Sequence, residues 1–482
     1  MKTVQQMLQA RTAKYAAHTQ AYAYYDSTQT PRYMSRRVRD YFRENPHYIE
    51  NWMAIVANAV IAKLIIDSVT VTDNDEKATA LGELWRDQQM DSVADEIHEN
   101  LVITGEAFLI VERDLQTNKV QSFSQDPRAV VVFYGSDNPL KITEAAKFYV
   151  EDGYKWLIHY TDTVFYIYQG PQILDGESPL AGGHENYRLV EETANPYGGM
   201  IPVFHFRRSR RVIRPEFYQV TPLQDTINKM FVSLGMSAEF AAQKLRWAIT
   251  NADVSNMQPG LPGDVIALPP SDTGEQPVSV GEWSAADLRQ FVETISSKVA
   301  SIASITSTPL HYFGPYAGAS ISGEALQALE SPLVAKCDRY SRILAPIWAA
   351  ASAFMLTLSG KPTTVSEITV VYKDPRTTLT ISQAMSRKIN VDAGMPLITQ
   401  LRDEGWTASE LEQLIADRLA ETPALQEAEQ LEKAYDVLAA RNAKLIEPML
   451  GTALKAIRDA AIAEMAKPEN IERLSRAIAR PE

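Results

Sequence analysis

The chain has 482 residues, 45% of them hydrophobic and 22% charged, which suits a folded protein of about three structural units and excludes a disordered acidic tail. A formal net charge of −13 excludes a conventional nucleic-acid binder with a basic surface, though not a protein that surrounds DNA without adhering to it. One cysteine, Cys337, excludes an intramolecular disulfide framework and a multi-cysteine metal site; it fits a reducing cytosol and reads as a small buried hydrophobe in a helix.

The N-terminal stretch MKTVQQMLQARTAKYAAHTQ is polar and lacks the apolar core of a signal peptide. Gln5 to Tyr22 predicts an Ala/Gln-rich helix, and Asn51 to Ile66 a buried one, apolar nearly all round. SVTVTDND follows as a short strand and turn. Ala78 to Asn100 is again helical, with Leu81, Leu84, Trp85, Val93, Ile97 and then Leu101 at helical spacing. From Leu101 to Phe206 the period changes. FLIVER, AVVVFY, KFYVED, KWLIHY and VFYIYQ are β-branched and aromatic runs separated by turn material, and predict an antiparallel β-rich module.

Thr221 is the expected cap of the next helix, with Pro222 at its first position and Gln224 completing a capping box. Extended to Ile249, that helix would be a rod of roughly 40 Å. Thr250 to Trp283 is Pro/Gly-rich, and only DVIAL in it suggests a strand; so long an irregular insertion marks a functional or binding surface. Ser284 is expected to cap a further helix with Asp287 in its first turn and Leu288, Phe291, Ile295, Val299 and Ile302 on one seam. Pro309 stops it. A small-residue-rich aromatic loop follows, TSTPLHYFGPYAGASIS, which is expected to project rather than pack. Ser322 then caps a long helix, Gly323 to Leu358, with expected kinks at Pro332 and Pro346 and a stop at Gly360 and Pro362. Its longest apolar run, Ala345 to Leu358, is shorter than the ~20 residues of a membrane span, so no membrane partner is expected. EITVVY is a strand. The last hundred residues are expected to be helical, broken at Gly394-Met395-Pro396, Thr422-Pro423 and near Pro448 to Gly451. The fold class is therefore α+β, mainly α.

In this order, the pieces resemble the portal proteins of tailed double-stranded-DNA bacteriophages, in particular the long-tailed branch. The resemblance rests on NWMAIVANAVIAKLIIDSVTV, LWRDQQMDSVADEIHENLVITGEAFLIVER, DPRAVVVFY, GGMIPVFHF leading into PLQDTINKM, and IASITSTPLHYFG with SGEALQALESPLVAKCDRY. Each is weak alone; the colinear series over about residues 45 to 350 is specific. It implies a wing over 1–220 and 321–379, stem helices over 221–249 and 284–306, a clip over 250–283, a tunnel loop over 307–320 and a helical crown over 380–482. It further implies a ring, twelve copies in the family, around a channel for double-stranded DNA at one capsid vertex. The expected partners are the terminase large subunit, a head–tail adaptor, the major capsid protein and a scaffolding protein. The expected locations are the virion and, during assembly, the host cytoplasm.

Candidate contact residues divide into three groups. In the loop, His311, Tyr312, Phe313 and Tyr316 either face the channel and touch DNA or pack on the neighbouring subunit. In the insertion, Asp264, Asp272 and Glu275 are partner contacts or solvated turn residues. The sharpest charge feature is Arg207, Arg208, Arg210, Arg211 and Arg214, which would meet DNA, capsid protein or an acidic neighbour, or form a solvated face; Arg36, Arg37, Arg39 and Arg43 form a second such group. Catalytic signatures are not found. Gly360-Lys361 lacks the preceding glycine of a phosphate-binding loop, and neither His98-Glu99 nor His184-Glu185 is followed by a second His at metalloprotease spacing. No enzyme, cofactor or transition-metal site is expected, and a hard cation on scattered carboxylates stays open. Two rival readings are a phage head or neck protein without a DNA channel and an enzyme of the packaging machinery.

Overall fold

The computed structural model describes residues 1–30, 32–33, 36, 49–72, 74–114, 117–173, 186–242, 246–249, 279–282, 287–317, 323–376, 398–399, 401 and 414, the side chains of 239–249, 279–282, 315–317 and 323–324 excepted. The chain divides into two units, Met1–Arg376 and Thr377–Glu482. The expected crown helices over 380–482, and the DVIAL strand, lie almost wholly outside the described residues.

In the first unit, α1 (Val4–Tyr25) opens with a complete capping box between Thr3 and Gln6. Asn51 caps α2 (Trp52–Ile61), its side chain accepting from the backbone N–H of Met53 and Ala54. The apolar run after it does not continue the helix; it turns and enters strand β1 (Ile66–Val71), whose β-branched residues suit a pleat. The single helix expected over 78–100 is two, α3 (Asp75–Asp87) and α4 (Met90–Thr104), broken where Gln89 takes a φ of 50°. Helix α4 ends on Gly105, whose φ of 92° and N–H to Leu101 O form a left-handed cap.

Eight strands then build the expected antiparallel module. Strands β2 (Glu106–Arg113), β3 (Val120–Gln125) and β9 (Val203–Arg207) form one sheet in the order β3-β2-β9. Strands β4 (Val130–Tyr134), β5 (Ile142–Glu151), β6 (Tyr154–Thr161), β7 (Val164–Gln172) and β8 (Arg188–Ala194) form a second, in chain order. Strand β2 is buried on both faces. Ala107, Leu109 and Val111 join the main helical core, while Phe108 and Ile110 pack with Val130, Ala145, Tyr160 and Val203. Its continuous apolar run, where a half-exposed strand would alternate, records that double burial.

Helix α5 (Thr221–Ala242) is shorter than expected. Residues Arg246–Ile249 leave it as strand β10, paired antiparallel with β11 (Ser279–Glu282), so the two ends of the Pro/Gly insertion are held together. The expected capping box is also absent. A 3-10 turn, Tyr218–Val220, runs straight into the helix and Thr221 Oγ1 donates back to Phe217 O. Gln224 is wholly buried and serves another element: its side chain accepts from Trp52 N at 3.0 Å and donates to Glu50 O. Helix α6 (Arg289–Thr306) begins later than Ser284 predicted, with Asp287 Oδ1 accepting from Arg289 N. Helix α7 (Gly323–Leu358) spans 36 residues with Pro332 and Pro346 inside it. It ends as expected: Lys361 N bonds Leu356 O and Gly360 N bonds Thr357 O around the left-handed Gly360, a Schellman motif. By length and composition Ala325–Leu358 would pass as a membrane span. Its apolar stripe is already taken: Leu333, Cys337, Tyr340, Leu344, Trp348 and Met355 are buried in the main core. Strand β12 (Ile368–Tyr372) closes the unit by pairing with β1.

His98 is buried against Trp348 and Tyr372, with Trp348 Nε1 3.4 Å and Tyr372 Oη 3.1 Å from its Nε2, and burial pushes its pKa down to about 4. The fold thus favours the neutral ring, and the unfolded chain takes up a proton near pH 6.5 that the folded chain refuses until about pH 4. Stability is therefore lost as pH falls through that window, by roughly 3 kcal/mol from this group. The thermal midpoint should fall between pH 6.5 and 4, and His98→Gln should flatten the slope. At Gly105, a Cβ would lie 2.4 Å from the backbone N and O of Arg214. Gly105→Ala should cost at least about 2 kcal/mol in denaturant unfolding.

Candidate interaction sites on the two loops

The aromatic loop begins where α6 ends, at Ser307 with a φ of 54°. Its first half does not project. Leu310–Ala317 forms a 3-10 turn laid on the core, and Phe313 is 1% exposed, its ring 5.6 Å from that of Trp52. Phe313 is thus taken up by its own subunit, because an aromatic side chain gains more from this burial than from solvent. Tyr312 Oη donates to Glu330 Oε1 at 3.2 Å, and burial with the nearby Glu330 charge pushes the phenol up to about 12. His311 Nε2 lies 3.6 Å from the same oxygen. Lys63 completes the group, its Nζ 3.3 Å from Glu330 Oε2 and 2.8 Å from Pro375 O. Glu330 is therefore the post to which the loop is tied. Gly314, next in the turn, takes a φ of 63° and is exposed. The side chain of Tyr316 and residues 318–322 lie outside the described residues.

The arginine segment is held differently from residue to residue. Arg207 stacks over the Tyr134 ring at 4.2 Å and Arg214 over Tyr218 at 4.3 Å. Arg208 pairs with Glu216, whose side chain is 5% exposed and also receives Lys336 Nζ at 2.8 Å and Tyr340 Oη at 2.7 Å. Arg210 and Arg211 are exposed and have no carboxylate partner among the described residues. The base of the segment is rigid. Glu216 N donates to Val102 O at 3.0 Å, and Gly105 lets the Arg214 backbone approach. Beside it lies an open cavity of about 320 Å³ lined by Arg208, Arg211, Arg214, Lys336 and Glu216 among others.

A third cluster has no counterpart in the sequence reading. Glu106, at the start of β2, is 2% exposed and faces Lys14 Nζ at 2.6 Å and His18 Nε2 at 2.9 Å through one oxygen, and His205 Nε2 at 2.8 Å through the other. Tyr134 Oη meets His205 Nδ1 at 2.8 Å. Burial alone would raise the Glu106 carboxyl, but Lys14 and the two imidazoles outweigh it and hold the group well below the usual carboxylate range. Burial also lowers His205 and Lys14, with Glu106 opposing in both cases. The cluster borders a cavity of about 450 Å³. Its members come from α1, β2, β4 and β9, so no local spacing signals it. Among the described residues no group of three or more His, Cys, Asp or Glu is placed to hold a metal.

Asp264, Asp272, Glu275, Arg37, Arg39 and Arg43 lie outside the described residues, and Arg36 is exposed. The two described candidate groups are thus separate. The aromatic loop is tied to Glu330 and the arginine segment to Glu216, both carboxylates being supplied with a lysine.

Comparison with known proteins gives the family. A portal protein of Mycobacterium phage D29 is 27% identical over 141 residues, 28% of this chain and 29% of that protein, so the alignment spans under a third of that relative. Among solved structures, a chain of the virion of a native gene transfer agent particle is similar with a TM-score of 0.42 and 12% identity, over 83% of this chain and 99% of that one. A chain of the neck of an empty gene transfer agent particle gives a TM-score of 0.40 and 12% identity, over 80% and 94%. The family described as phage portal protein, SPP1 Gp6-like, matches residues 5–432, and the chain belongs to that family.

Proposed function

We propose that this chain assembles into a ring, twelve copies by family resemblance, at one vertex of a phage capsid. There it is a non-enzymatic conduit for double-stranded DNA during packaging and ejection. The observation that carries the reading is the family match over residues 5–432. A structural feature supports it: α5 and α6 are joined through an insertion whose ends are clasped by β10 and β11. We read α5 and α6 as the two-helix stem and the insertion as the clip, where the terminase large subunit and later a head–tail adaptor would dock. The major capsid protein and scaffolding protein would meet the wing, and the ring would be a virion component assembled in the host cytoplasm. A net charge of −13 per subunit gives a strongly acidic ring. Such a bore repels phosphates at short range and lets the duplex slide, with work supplied by a separate ATPase.

Negative-stain images of the purified chain should show rings with a central hole. Monodisperse monomers at high concentration, ATP hydrolysis or DNA cleavage would overturn the reading. Phe313 is part of its own subunit's core, so its loss and a deletion beyond it should have different effects. Deleting residues 315–321 should spare the ring and impair packaging, whereas Phe313→Ala should cost about 3–5 kcal/mol of subunit stability. Loss of rings on this deletion would make residues 315–321 an assembly element instead.

A further inference from the structure

The arginine segment combines charge with an exposed apolar tip. Val212 is 37% and Ile213 40% exposed, flanked by Arg211 and Arg214. A DNA phosphate has no use for that tip, and a protein interface does: apolar centres edged by arginine are typical of one. With the five arginines of 207–214 set aside, the remaining 42 basic residues face 60 acidic ones, a balance of −18. The segment is thus a cationic exception in a chain whose remaining charge is strongly acidic.

One described element carries the matching chemistry. Strand β8 ends its sheet, with no strand on its outer side among the described residues, and every residue in it is exposed. It presents an apolar pair, Leu189 at 44% and Val190 at 55% exposure, followed by Glu191 and Glu192. A bare sheet edge of this kind calls for a cover. No hydrogen bond or ion pair joins β8 to 207–214 within one subunit among the described residues.

We infer that the segment 207–214 of one subunit docks on the β8 edge of the next. Val212 and Ile213 cover Leu189 and Val190, and a β8 carboxylate enters the basic cavity of about 320 Å³ beside Arg208, Arg211 and Lys336. Two different patches meeting head to tail generate a closed ring wherever the rotation closes. The inference rests on the ring reading above. It explains why the segment's base is fixed by Glu216 and Gly105 while its tip is left uncovered: a docking element bound on a rigid base loses little freedom.

The test is a charge swap in the full chain. Arg210→Glu with Arg211→Glu should raise the concentration needed for ring formation at least about tenfold in native mass spectrometry. Glu191→Arg with Glu192→Arg should do the same. All four residues are exposed, so each variant should keep the wild-type thermal midpoint within a few degrees. The four changes together restore opposite charges across the contact and should return assembly to within about threefold of wild type. Val212→Ser with Ile213→Ser should weaken assembly without altering its salt dependence. Rings unaffected by either charge pair, or no recovery in the combined variant, would overturn the inference. So would intact rings of the Arg210/Arg211 variant that lose only DNA retention, since that result assigns the segment to phosphate. A wild-type chain that forms no ring overturns the portal reading itself, which keeps the two failures distinct.

Discussion

The strand Glu106–Arg113 is the constraint on which the rest of the first unit depends. It is sandwiched, with helices α2, α4 and α7 on one side and the five-stranded sheet on the other, so its alternate residues belong to two cores at once. A strand buried on both faces cannot slip by one residue without exchanging Leu109 for Phe108, two side chains of different volume in close-packed surroundings. Its beginning is equally constrained. Gly105 adopts a conformation that a side chain would strain, and admits the Arg214 backbone at a distance no Cβ would tolerate. The position of the arginine segment is therefore set by the same turn that sets the strand.

Buried carboxylates perform a second, recurring task. Glu106 faces Lys14, Glu216 faces Lys336 and Glu330 faces Lys63, at 2.6, 2.8 and 3.3 Å. Each then collects further donors: imidazoles at Glu106, Tyr340 and Arg208 at Glu216, Tyr312 at Glu330. Such groups contribute little net stability compared with an apolar core, because desolvation offsets the attraction. Their geometry is exacting, however, and each ties a distant segment to a fixed place. Glu106 ties α1 to the β module, Glu216 ties the arginine segment to α7, and Glu330 ties the aromatic turn to the same helix. In a chain of net charge −13, these three acids are turned inward and each is met by a lysine.

Much of the secondary structure was legible in the sequence, for reasons that are local. The long helix Gly323–Leu358 and its Schellman stop, the strands β1 and β12, and the antiparallel module all announce themselves by periodicity and turn chemistry. The failures have one physical source: a residue type suited to a local role was claimed by a distant partner. Gln224 looked like half of a capping box, yet its amide is spent on the backbone of Glu50 and Trp52. The aromatic residues after Pro309 looked like a projecting tip, yet Phe313 found Trp52 and Tyr312 found Glu330. The Glu106 cluster could not be anticipated at all, since Lys14, His18 and His205 reach it from sequence distances that carry no pattern.

By itself the sequence determined the class of the protein, the order of its elements, the acidic balance and the concentration of arginine at 207–214, because these depend on composition and on spacing within a helix or a strand. Only the tertiary structure decided which charges are used inside and which remain outside. Arg208 is spent on Glu216 while Arg210 and Arg211 are left uncovered, and Phe313 is taken into the core while Gly314 beside it is exposed. The physical reason is that the value of a charge or an aromatic ring depends on its solvent exposure and its partners, and both are set by residues far away in the chain.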